Sequence, residues 1–300
     1  MPVRLGVSPI GWSNDDLPEL GGETPLETCL AEARRAGYAG IELGNKFPRD
    51  PFVLRPVLQG HGLALVSGWY SGRILERSVA EELTAMEPHG ALLAAMGCGV
   101  LVYAETSGSV AGDRTRPLSR RPRLRAGDWR EFGAKLTALA DALARRRLAL
   151  AYHPHMGTVV ETEIEIDRLM QETGPAVGLL LDTGHIAFAG GDPVAVACRH
   201  GWRINHVHCK DVRPGALARA KARDTSFLDA LLDGVFTVPG DGAIDFATVL
   251  APLAAVGYRG WLVVEAEQDP EKAPPFAYAR LGFANLAEAV ATAGLAVEAI

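Results

Sequence analysis

Histidine is the residue type that most directly indicates chemistry in this sequence. Six of the eight histidines fall between positions 153 and 208, and five of these lie close to the end of a short apolar run. They are His153, His155, His185, His206 and His208. Imidazole binds divalent metals and also transfers protons near neutral pH. The cluster therefore predicts a metal site, an acid–base site or both.

Three consecutive apolar runs carry a metal-binding side chain at or near their C-terminal ends. Asp182 ends VGLLLD, His208 is the penultimate residue of INHVHC, and Glu265 follows WLVV. A single such residue is more often an ordinary polar residue at a strand end, but three in a row predict converging ligands. His206 shares a strand face with His208, and we expect it to lie behind that ligand. Mixed Asp, Glu and His ligation suits Mn²⁺, Co²⁺, Mg²⁺ or Fe²⁺ at least as well as Zn²⁺.

The elements that position these residues follow a regular alternation of short apolar runs and longer amphipathic stretches. The predicted strands are 3–8, 39–44, 63–68, 99–104, 148–153, 177–182, 204–209 and 261–266. The predicted helices are 26–36, 52–59, 79–96, 129–147, 162–172, 193–200, 246–256 and 276–293. Eight strand–helix units predict an α/β fold, a single (β/α)8 TIM barrel over residues 1–300. The glycine-rich phosphate-binding motifs of open nucleotide-binding sheets do not occur in the sequence.

Two connections on the C-terminal side of the predicted barrel are too long to be simple turns. They cover 105–128 and 210–245, and the second contains a short predicted helix near 227–232. Active sites of such barrels lie at this face, so we interpret both segments as walls or lids of a substrate pocket. The arginines within 119–125 suit solvation, subunit contacts or a polyol lid better than phosphate binding.

The overall composition excludes several classes of protein. The sequence is 48% hydrophobic and 22% charged with a formal charge of −6, which is typical of a globular protein and disfavours nucleic-acid binding. It has no apolar run of about 18 residues and no signal-peptide profile, so we expect no membrane partner and a cytoplasmic location. Its cysteines form no CxxC pair, and we expect all of them to be buried free thiols. They are Cys29, Cys98, Cys198 and Cys209.

Longer segments carry a resemblance that covers essentially the whole chain. They are SPIGWSNDD (8–16), GIELGNKFPRD (40–50), LSRRP (118–122), YHPHMGTVVET (152–162), DTGH (182–185), HVHCKD (206–211) and WLVVEAEQDP (261–270). Together they resemble the inosose dehydratases, within the xylose isomerase-like group of sugar isomerase and epimerase barrels. The resemblance implies a hydro-lyase of inositol catabolism. It would remove water from a small polyol ketone, 2-keto-myo-inositol (scyllo-inosose), to give a trihydroxycyclohexane-1,2-dione. It also implies a divalent metal cofactor, for which we expect Mn²⁺ or Co²⁺.

The fourth metal ligand is open between two residues. The related isomerases carry a Glu at the end of the fifth strand, where this sequence has His153. Glu161, in the loop that follows, is the nearest carboxylate. Sites in this barrel group are rich in oxygen ligands, which hard cations prefer. We therefore expect Glu161 to complete the set formed by Asp182, His208 and Glu265.

Dehydration beside a ketone begins with loss of the proton α to the carbonyl and ends with departure of the β-hydroxyl, so it needs a base and an acid. We expect these groups to come from His153, His155, His185 and Lys210. An ion pair between Lys210 and the adjacent Asp211 is an equal alternative. The residues expected around the substrate are Trp12, Asn45, Lys46, Trp69 and His206. For the two tryptophans, packing within the wall is an equal alternative.

Three other functions are compatible with a metal-binding barrel. An aldose–ketose isomerase or epimerase would use the same metal but normally two carboxylates for proton transfer, and His153 counts against it. An apurinic-site endonuclease of related fold would need more metal ligands and a basic DNA-binding surface. A non-catalytic polyol-binding barrel would not need the ligand set. The sequence does not fix the oligomeric state, and a homo-oligomer is allowed.

Overall fold

Eight parallel strands close into a barrel. The computed structural model describes residues 2–298. The barrel strands are β1 (Pro2–Val7), β2 (Gly40–Leu43), β3 (Ala64–Gly72), β4 (Val100–Glu105), β5 (Ala149–Tyr152), β6 (Val177–Asp182), β7 (Ile204–Cys209) and β8 (Trp261–Val264). Each strand pairs with its neighbour in the chain, and β8 pairs with β1 to complete the ring, with Leu262 opposite Leu5. The predicted (β/α)8 barrel is confirmed.

Helices surround the barrel and cap its C-terminal end. They are α1 (Leu26–Ala36), α2 (Pro51–Gly60), α3 (Val79–Met96), α4 (Asp128–Ala144), α5 (Glu163–Glu172), α6 (Thr183–Phe188), α7 (Pro193–His200), α8 (Pro214–Arg223), α9 (Phe227–Leu232), α10 (Phe246–Ala255) and α11 (Pro275–Thr292). The eight helices expected between the strands are all present, with ends that differ by a few residues. Within the described part of the chain, every helix is too short or too polar to cross a membrane.

Local sequence sets the ends of these helices. Ser78 and Thr162 begin α3 and α5 with capping boxes, in which Glu81 and Glu165 accept hydrogen bonds from the backbone of the cap residue. At the end of α1, Gly37 adopts a φ of 114°, a left-handed conformation that strains other residues. The chain can therefore turn directly from α1 into β2. These ends determine where each strand begins and which residue reaches the rim of the barrel.

The barrel strands are buried on both faces. Every residue of β2, β6 and β8 is buried, which explains their nearly continuous apolar sequences. Burying a charge is costly unless it is paired or binds a cation. Glu42 in β2 and Asp182 in β6 are the carboxylates that violate this apolar pattern. Both therefore mark positions where the fold must compensate a buried charge.

The connection between β7 and β8 contains more structure than the one short helix expected near 227–232. It also contains α8 and a two-stranded antiparallel ribbon of Asp211–Val212 and Phe236–Thr237. In addition, α6 begins immediately after β6, and a short strand, Ala296–Val297, pairs with the start of β1. The ribbon and α9 cover the C-terminal rim, where the expected wall or lid belongs.

The expectation of four buried thiols is wrong for one cysteine. All four cysteines are free, and three are buried, but Cys198 is exposed. Cys198 lies on α7, whose buried residues include Val196 and Ala197. An apolar stretch of sequence does not reveal which residues of a helix face solvent, so the neighbours of Cys198 gave a misleading signal.

Candidate active site

Four metal-binding side chains from four consecutive strands meet at the C-terminal end of the barrel. His153 follows β5, Asp182 ends β6, His208 lies in β7 and Glu265 follows β8. Each offers one ligand atom, and the four atoms lie within 4.8 Å of one another. Parallel register accounts for part of this convergence, because Asp182 and His208 are direct neighbours across β6 and β7. We call these four residues the ligand group.

The atoms that face the centre of the ligand group lack hydrogen-bond partners. Asp182 Oδ2, His208 Nδ1 and Glu265 Oε2 are buried and make no hydrogen bond within the described chain. His208 Nδ1 lies 2.8 Å from Glu265 Oε2 and 3.5 Å from Asp182 Oδ2. Buried polar atoms are nearly always satisfied. Carboxylate oxygens and imidazole nitrogens that converge in this way are the donors a divalent cation uses, so the residues present fit such an ion.

The hydrogen-bond partners of the two imidazoles assign tautomers that suit metal binding. His153 Nδ1 lies 2.7 Å from the carbonyl oxygen of Pro154, which only accepts, so Nδ1 carries the hydrogen and Nε2 keeps its lone pair. That Nε2 faces Asp182 Oδ2 at 3.5 Å. His208 Nε2 lies 3.3 Å from Glu42 Oε1, which leaves the lone pair on Nδ1. In its neutral form each imidazole would thus present an unprotonated nitrogen to the ligand group.

Charges within the ligand group perturb each other strongly. Burial opposes the charge on Glu265, but His208 and Lys210 outweigh it and lower the pKa of Glu265 to about 2. Burial likewise opposes the charge on Asp182, and Lys210 holds the pKa of Asp182 well below its usual value. Burial lowers the pKa of His208, whereas Glu265 and Glu42 raise it well above the usual value. A cation bound here would replace the proton on His208.

Glu161 is not part of the ligand group. Its carboxylate lies 3.1 Å from Arg121 Nε and accepts a hydrogen bond from the backbone amide of Gly157 at 2.7 Å. Arg121 also pairs with Glu165, and its side chain is only 3% exposed. Glu161 is thus engaged by a buried arginine, whereas His153, the alternative, lies within the ligand group.

Lys210 lies beside the ligand group. Its Nζ is 3.0 Å from Glu265 Oε2, 2.7 Å from Glu267 Oε1 and 3.5 Å from Asp182 Oδ2. Burial disfavours the charged amine, but these three carboxylates raise the pKa of Lys210 above its usual value. Asp211 instead accepts hydrogen bonds from backbone amides just before α10, so the alternative of a Lys210–Asp211 pair does not apply.

His155, His185 and Glu267 form a second cluster next to Lys210, with ligand atoms within 4.8 Å of one another. The two imidazole rings have centroids 4.0 Å apart. Burial lowers the pKa of His155 to about 3 and that of His185 well below its usual value, so both rings are neutral at pH 7. Burial raises the pKa of Glu267 to about 7 against the opposing charge of Lys210. Because the Lys210 ammonium is already in contact, this cluster suits proton transfer better than a second metal. We call His155, His185 and Glu267 the acid–base cluster.

A cavity of about 580 Å³ opens beside the ligand group and the acid–base cluster, a volume suited to a small ligand. Part of its wall comes from the segments that follow β1 and β2 and from β3 itself. The wall residues used below are Asp15, Asp16, Asn45, Arg49 and Trp69. We call β5–β8 the metal-binding half of the barrel and β1–β3 the wall-forming half.

Comparison with known proteins identifies the family. A family model described as a xylose isomerase-like TIM barrel matches residues 30–289. This chain belongs to that family. The rhizopine catabolism protein MocC of Rhizobium meliloti is 55% identical to it, over 98% of this chain and 90% of that protein. An inosose dehydratase of Geobacillus thermodenitrificans is 46% identical, over 92% of this chain and 94% of that protein.

A solved structure of an L-ribulose 3-epimerase has the same fold, with a TM-score of 0.70 and 18% identity over 97% of this chain and 96% of that one. At this identity the likeness concerns the fold alone. The relatives confirm the resemblance that the sequence segments carry, both to the xylose isomerase-like barrels and, within them, to the inosose dehydratases.

Among the expected substrate residues of this xylose isomerase-like barrel, Trp69 and Asn45 line the cavity. The side chain of Trp69 is 39% exposed, and its ring centroid lies 5.3 Å from that of His153 and 5.4 Å from that of His155. Asn45 follows β2, and its backbone amide donates to Asp15. The indole of Trp69 therefore connects the wall-forming half with the acid–base cluster.

Trp12, Lys46 and His206, the other residues expected around the substrate, do not line this cavity. Trp12 is 2% exposed and donates from Nε1 to Glu32 at 2.7 Å, which is the wall-packing alternative. The Lys46 ammonium donates to carbonyls of the 21–24 loop. His206 is fully buried behind His208, and its Nε2 lies 2.9 Å from Glu42.

Several cavity residues escaped the sequence analysis. Asp15, Asp16 and Arg49 lie in loops, where charged side chains are usually only solvated. Glu42 is the one carboxylate of the buried run GIEL, and a charge inside an apolar strand is a signal that could have identified it. Glu267 is two residues beyond Glu265, and its position in the sequence indicates no function by itself.

Proposed function

We propose that this protein is a divalent-metal-dependent hydro-lyase that dehydrates scyllo-inosose to a trihydroxycyclohexane-1,2-dione in inositol catabolism. The observation that carries the proposal is the ligand group beside a buried acid–base cluster. Its occurrence in a chain 46% identical to an inosose dehydratase over nearly its whole length supports that reaction class. The substrate is a small polyol ketone, for which the cavity has sufficient volume.

His153, Asp182, His208 and Glu265 would hold the metal, and we propose Mn²⁺ or Co²⁺ as the working ion. Two imidazole nitrogens and two carboxylates without sulfur suit these ions. The bound ion would supply Lewis-acid stabilisation of the negative charge that develops on the ketone oxygen, an effect of several kcal/mol.

His155 is our candidate for the base that removes the α-proton. Its Nδ1 donates to the carbonyl oxygen of Met156 at 2.8 Å, so Nε2 keeps a lone pair that can accept a proton. The ring also lines the cavity beside His153 and Trp69. A positioned base of this kind contributes roughly 10²–10⁴ in rate.

Lys210 and Glu267 are our candidates for the acid. Their side chains share a hydrogen bond of 2.7 Å inside the cavity wall, so a proton can be given from Lys210 Nζ and replaced from Glu267. The substrate loses one proton from the α-carbon and one hydroxide from the β-carbon. The hydroxide leaves as water after taking the proton from the acid, which balances the step. His185 lies beside this pair, with Nε2 at 3.2 Å from Lys210 Nζ.

Turnover with purified substrate tests the proposal. Protein stripped with a chelator and desalted should be inactive on scyllo-inosose, and Mn²⁺ or Co²⁺ should restore formation of a product one water lighter by mass spectrometry. The Asp182→Asn variant is the matched control and should stay inactive at the same metal concentration. A product of unchanged mass would instead identify an isomerase or epimerase on the same barrel.

A second candidate function is a step in rhizopine catabolism at the same site. It is favoured by one observation, the 55% identity to MocC, which exceeds the 46% identity to the inosose dehydratase. Growth tests separate the two. Deletion of the gene should abolish growth on inositol if the first proposal holds. Loss of growth on rhizopine with normal growth on inositol would favour the second.

A cytoplasmic location and a homo-oligomeric assembly belong to the same proposal. The four free cysteines support a reducing compartment. Cell fractionation and light scattering would test the two points separately. The single domain over residues 1–300 stays a prediction as well, and limited proteolysis that leaves one resistant fragment would support it.

A further inference from the structure

We infer that Glu42 is a positioning residue for the metal site, because it fixes the ring and the tautomer of His208 from the opposite side of the barrel. The inference rests on the metal site of the proposed function. Glu42 lies in the middle of β2, in the wall-forming half, whereas the ligand group comes from the metal-binding half. It therefore links the two halves through one carboxylate.

One oxygen of Glu42 makes the contacts that matter. Glu42 Oε1 lies 3.3 Å from His208 Nε2, while His208 Nδ1 faces Glu265 at 2.8 Å. A carboxylate oxygen can only accept here, so the hydrogen of His208 is held on Nε2 and the lone pair on Nδ1. Without this acceptor the neutral ring could place its hydrogen on Nδ1, towards the metal. The His208 ring would also lose one of the two contacts that fix its orientation.

Two further donors hold the carboxylate itself in place. Ser67 Oγ donates to Glu42 Oε1 at 2.5 Å, and His206 Nε2 lies 2.9 Å from the same oxygen. Glu42 is 7% exposed, and Ser67 and His206 are fully buried. A side chain with three donors on one oxygen has little rotational freedom, so it can orient His208 accurately. This gives His206 a place in the site although it does not reach the cavity.

Carboxylates that accept a hydrogen bond from a metal-binding imidazole raise its basicity and fix its orientation, and their loss typically weakens metal binding by about 10- to 100-fold. The same range is expected for Glu42. If the role of Glu42 were purely structural, its substitution would change the stability of the metal-free protein and leave metal affinity unchanged.

The experiment measures Mn²⁺ affinity by calorimetry in wild type, Glu42→Ala, Glu42→Gln and Glu42→Asp, together with the thermal stability of each metal-free protein. We expect Glu42→Ala to raise the Kd about 10- to 100-fold. Glu42→Gln should show a smaller increase, since the amide oxygen still accepts from His208. If Glu42→Ala does not fold, the Gln and Asp variants carry the comparison. Glu32→Gln, which removes a carboxylate that binds Trp12 and lies outside the cavity lining, is the matched control with wild-type affinity.

A Kd within twofold of wild type in both the Ala and the Gln variants would overturn the inference. A Kd that rises only in step with loss of thermal stability across the series would overturn it as well. The outcome is separable from the proposed reaction. Wild-type protein that binds Mn²⁺ but does not dehydrate scyllo-inosose would refute the proposed function, while weakened binding in the Glu42 variants would still support the inference.

Discussion

Arg121 Nε lies 3.1 Å from Glu161 Oε1, in an ion pair whose arginine is almost completely buried. The same guanidinium also pairs with Glu165 and donates to the carbonyl oxygen of Thr158. The pair ties the long segment after β4 to the loop that carries His153 and His155. Glu161 thus supports the loop of the site, and its carboxylate already has a cationic partner.

The fourth metal ligand can be tested by paired substitutions. We expect His153→Gln to lower the affinity for Mn²⁺ by more than about 10-fold, because it removes one of the converging lone pairs. Glu161→Gln should retain full metal content, since its carboxylate faces Arg121. Each variant is given one metal ion per chain and desalted, and elemental analysis of the folded protein measures the metal that it retains. Loss of metal only in the Glu161 variant would restore the original assignment.

Lys210 should influence stability and catalysis in different ways. Lys210→Met leaves three buried carboxylates without their ammonium, and breaking a buried ion pair costs about 3–5 kcal/mol. We therefore expect a lower Tm for the metal-free variant, and a larger rise of Tm on adding Mn²⁺ than in wild type. With metal bound, kcat should fall roughly 10²- to 10⁴-fold.

The control for Lys210 is Lys272→Met, whose side chain is 68% exposed and pairs with Asp269 at the surface. It should leave both Tm and kcat close to the wild-type values. Wild-type kcat in Lys210→Met would show that the ammonium takes no part in the reaction.

Trp69 and Trp12 should respond differently to a bound polyol. Trp69 lines the cavity, whereas Trp12 is 2% exposed and packs within the wall. We expect Trp69→Ala to raise KM roughly 2- to 10-fold, the equivalent of about 0.5–1.5 kcal/mol of ring contact. The fluorescence change on adding myo-inositol should disappear in Trp69→Phe and persist in Trp12→Phe. A persistent change in both variants would argue against contact between Trp69 and the ligand.

Glu165, which pairs with Arg121, should make the stability of the protein depend on pH. Burial opposes the charge on Glu165, but hydrogen bonds from the backbone at Thr162 and the contact with Arg121 outweigh it, so its pKa lies below the ordinary 4.5. The unfolded chain therefore binds the extra proton first as the pH falls. The stabilisation is complete above pH 4.5 and is lost as the pH falls through the folded pKa.

We accordingly expect Glu165→Gln to have a lower free energy of unfolding than wild type at pH 7, and the difference should shrink below about pH 4.5. Urea unfolding of metal-free protein at several pH values measures it. Glu131→Gln, whose side chain is 76% exposed, should follow wild type throughout. A difference that stays constant on acidification would contradict an ionic origin.

The barrel could be predicted from sequence because its strands are buried on both faces, and buried parallel strands leave apolar runs that helices separate. The same logic brought Asp182, His208 and Glu265 to one rim, since each ends or follows such a run. The sequence-based prediction failed where the direction of a side chain decides what it contacts. Trp12 and Trp69 both follow early strands, yet only Trp69 faces the cavity. Separation along the chain could not show that Arg121, from another loop, would form an ion pair with Glu161.

The division of the barrel into a metal-binding half and a wall-forming half has a consequence for how the chemistry can diversify. Residues that shape the pocket, such as Asp16, Asn45 and Arg49, belong to segments that contribute no ligand atom to the ion. Substitutions in those segments can alter which substrate enters while the metal site stays intact. A library randomised at these three positions should yield new substrate preferences among variants that all retain full metal content. Changes at Glu42, by contrast, would couple the two properties.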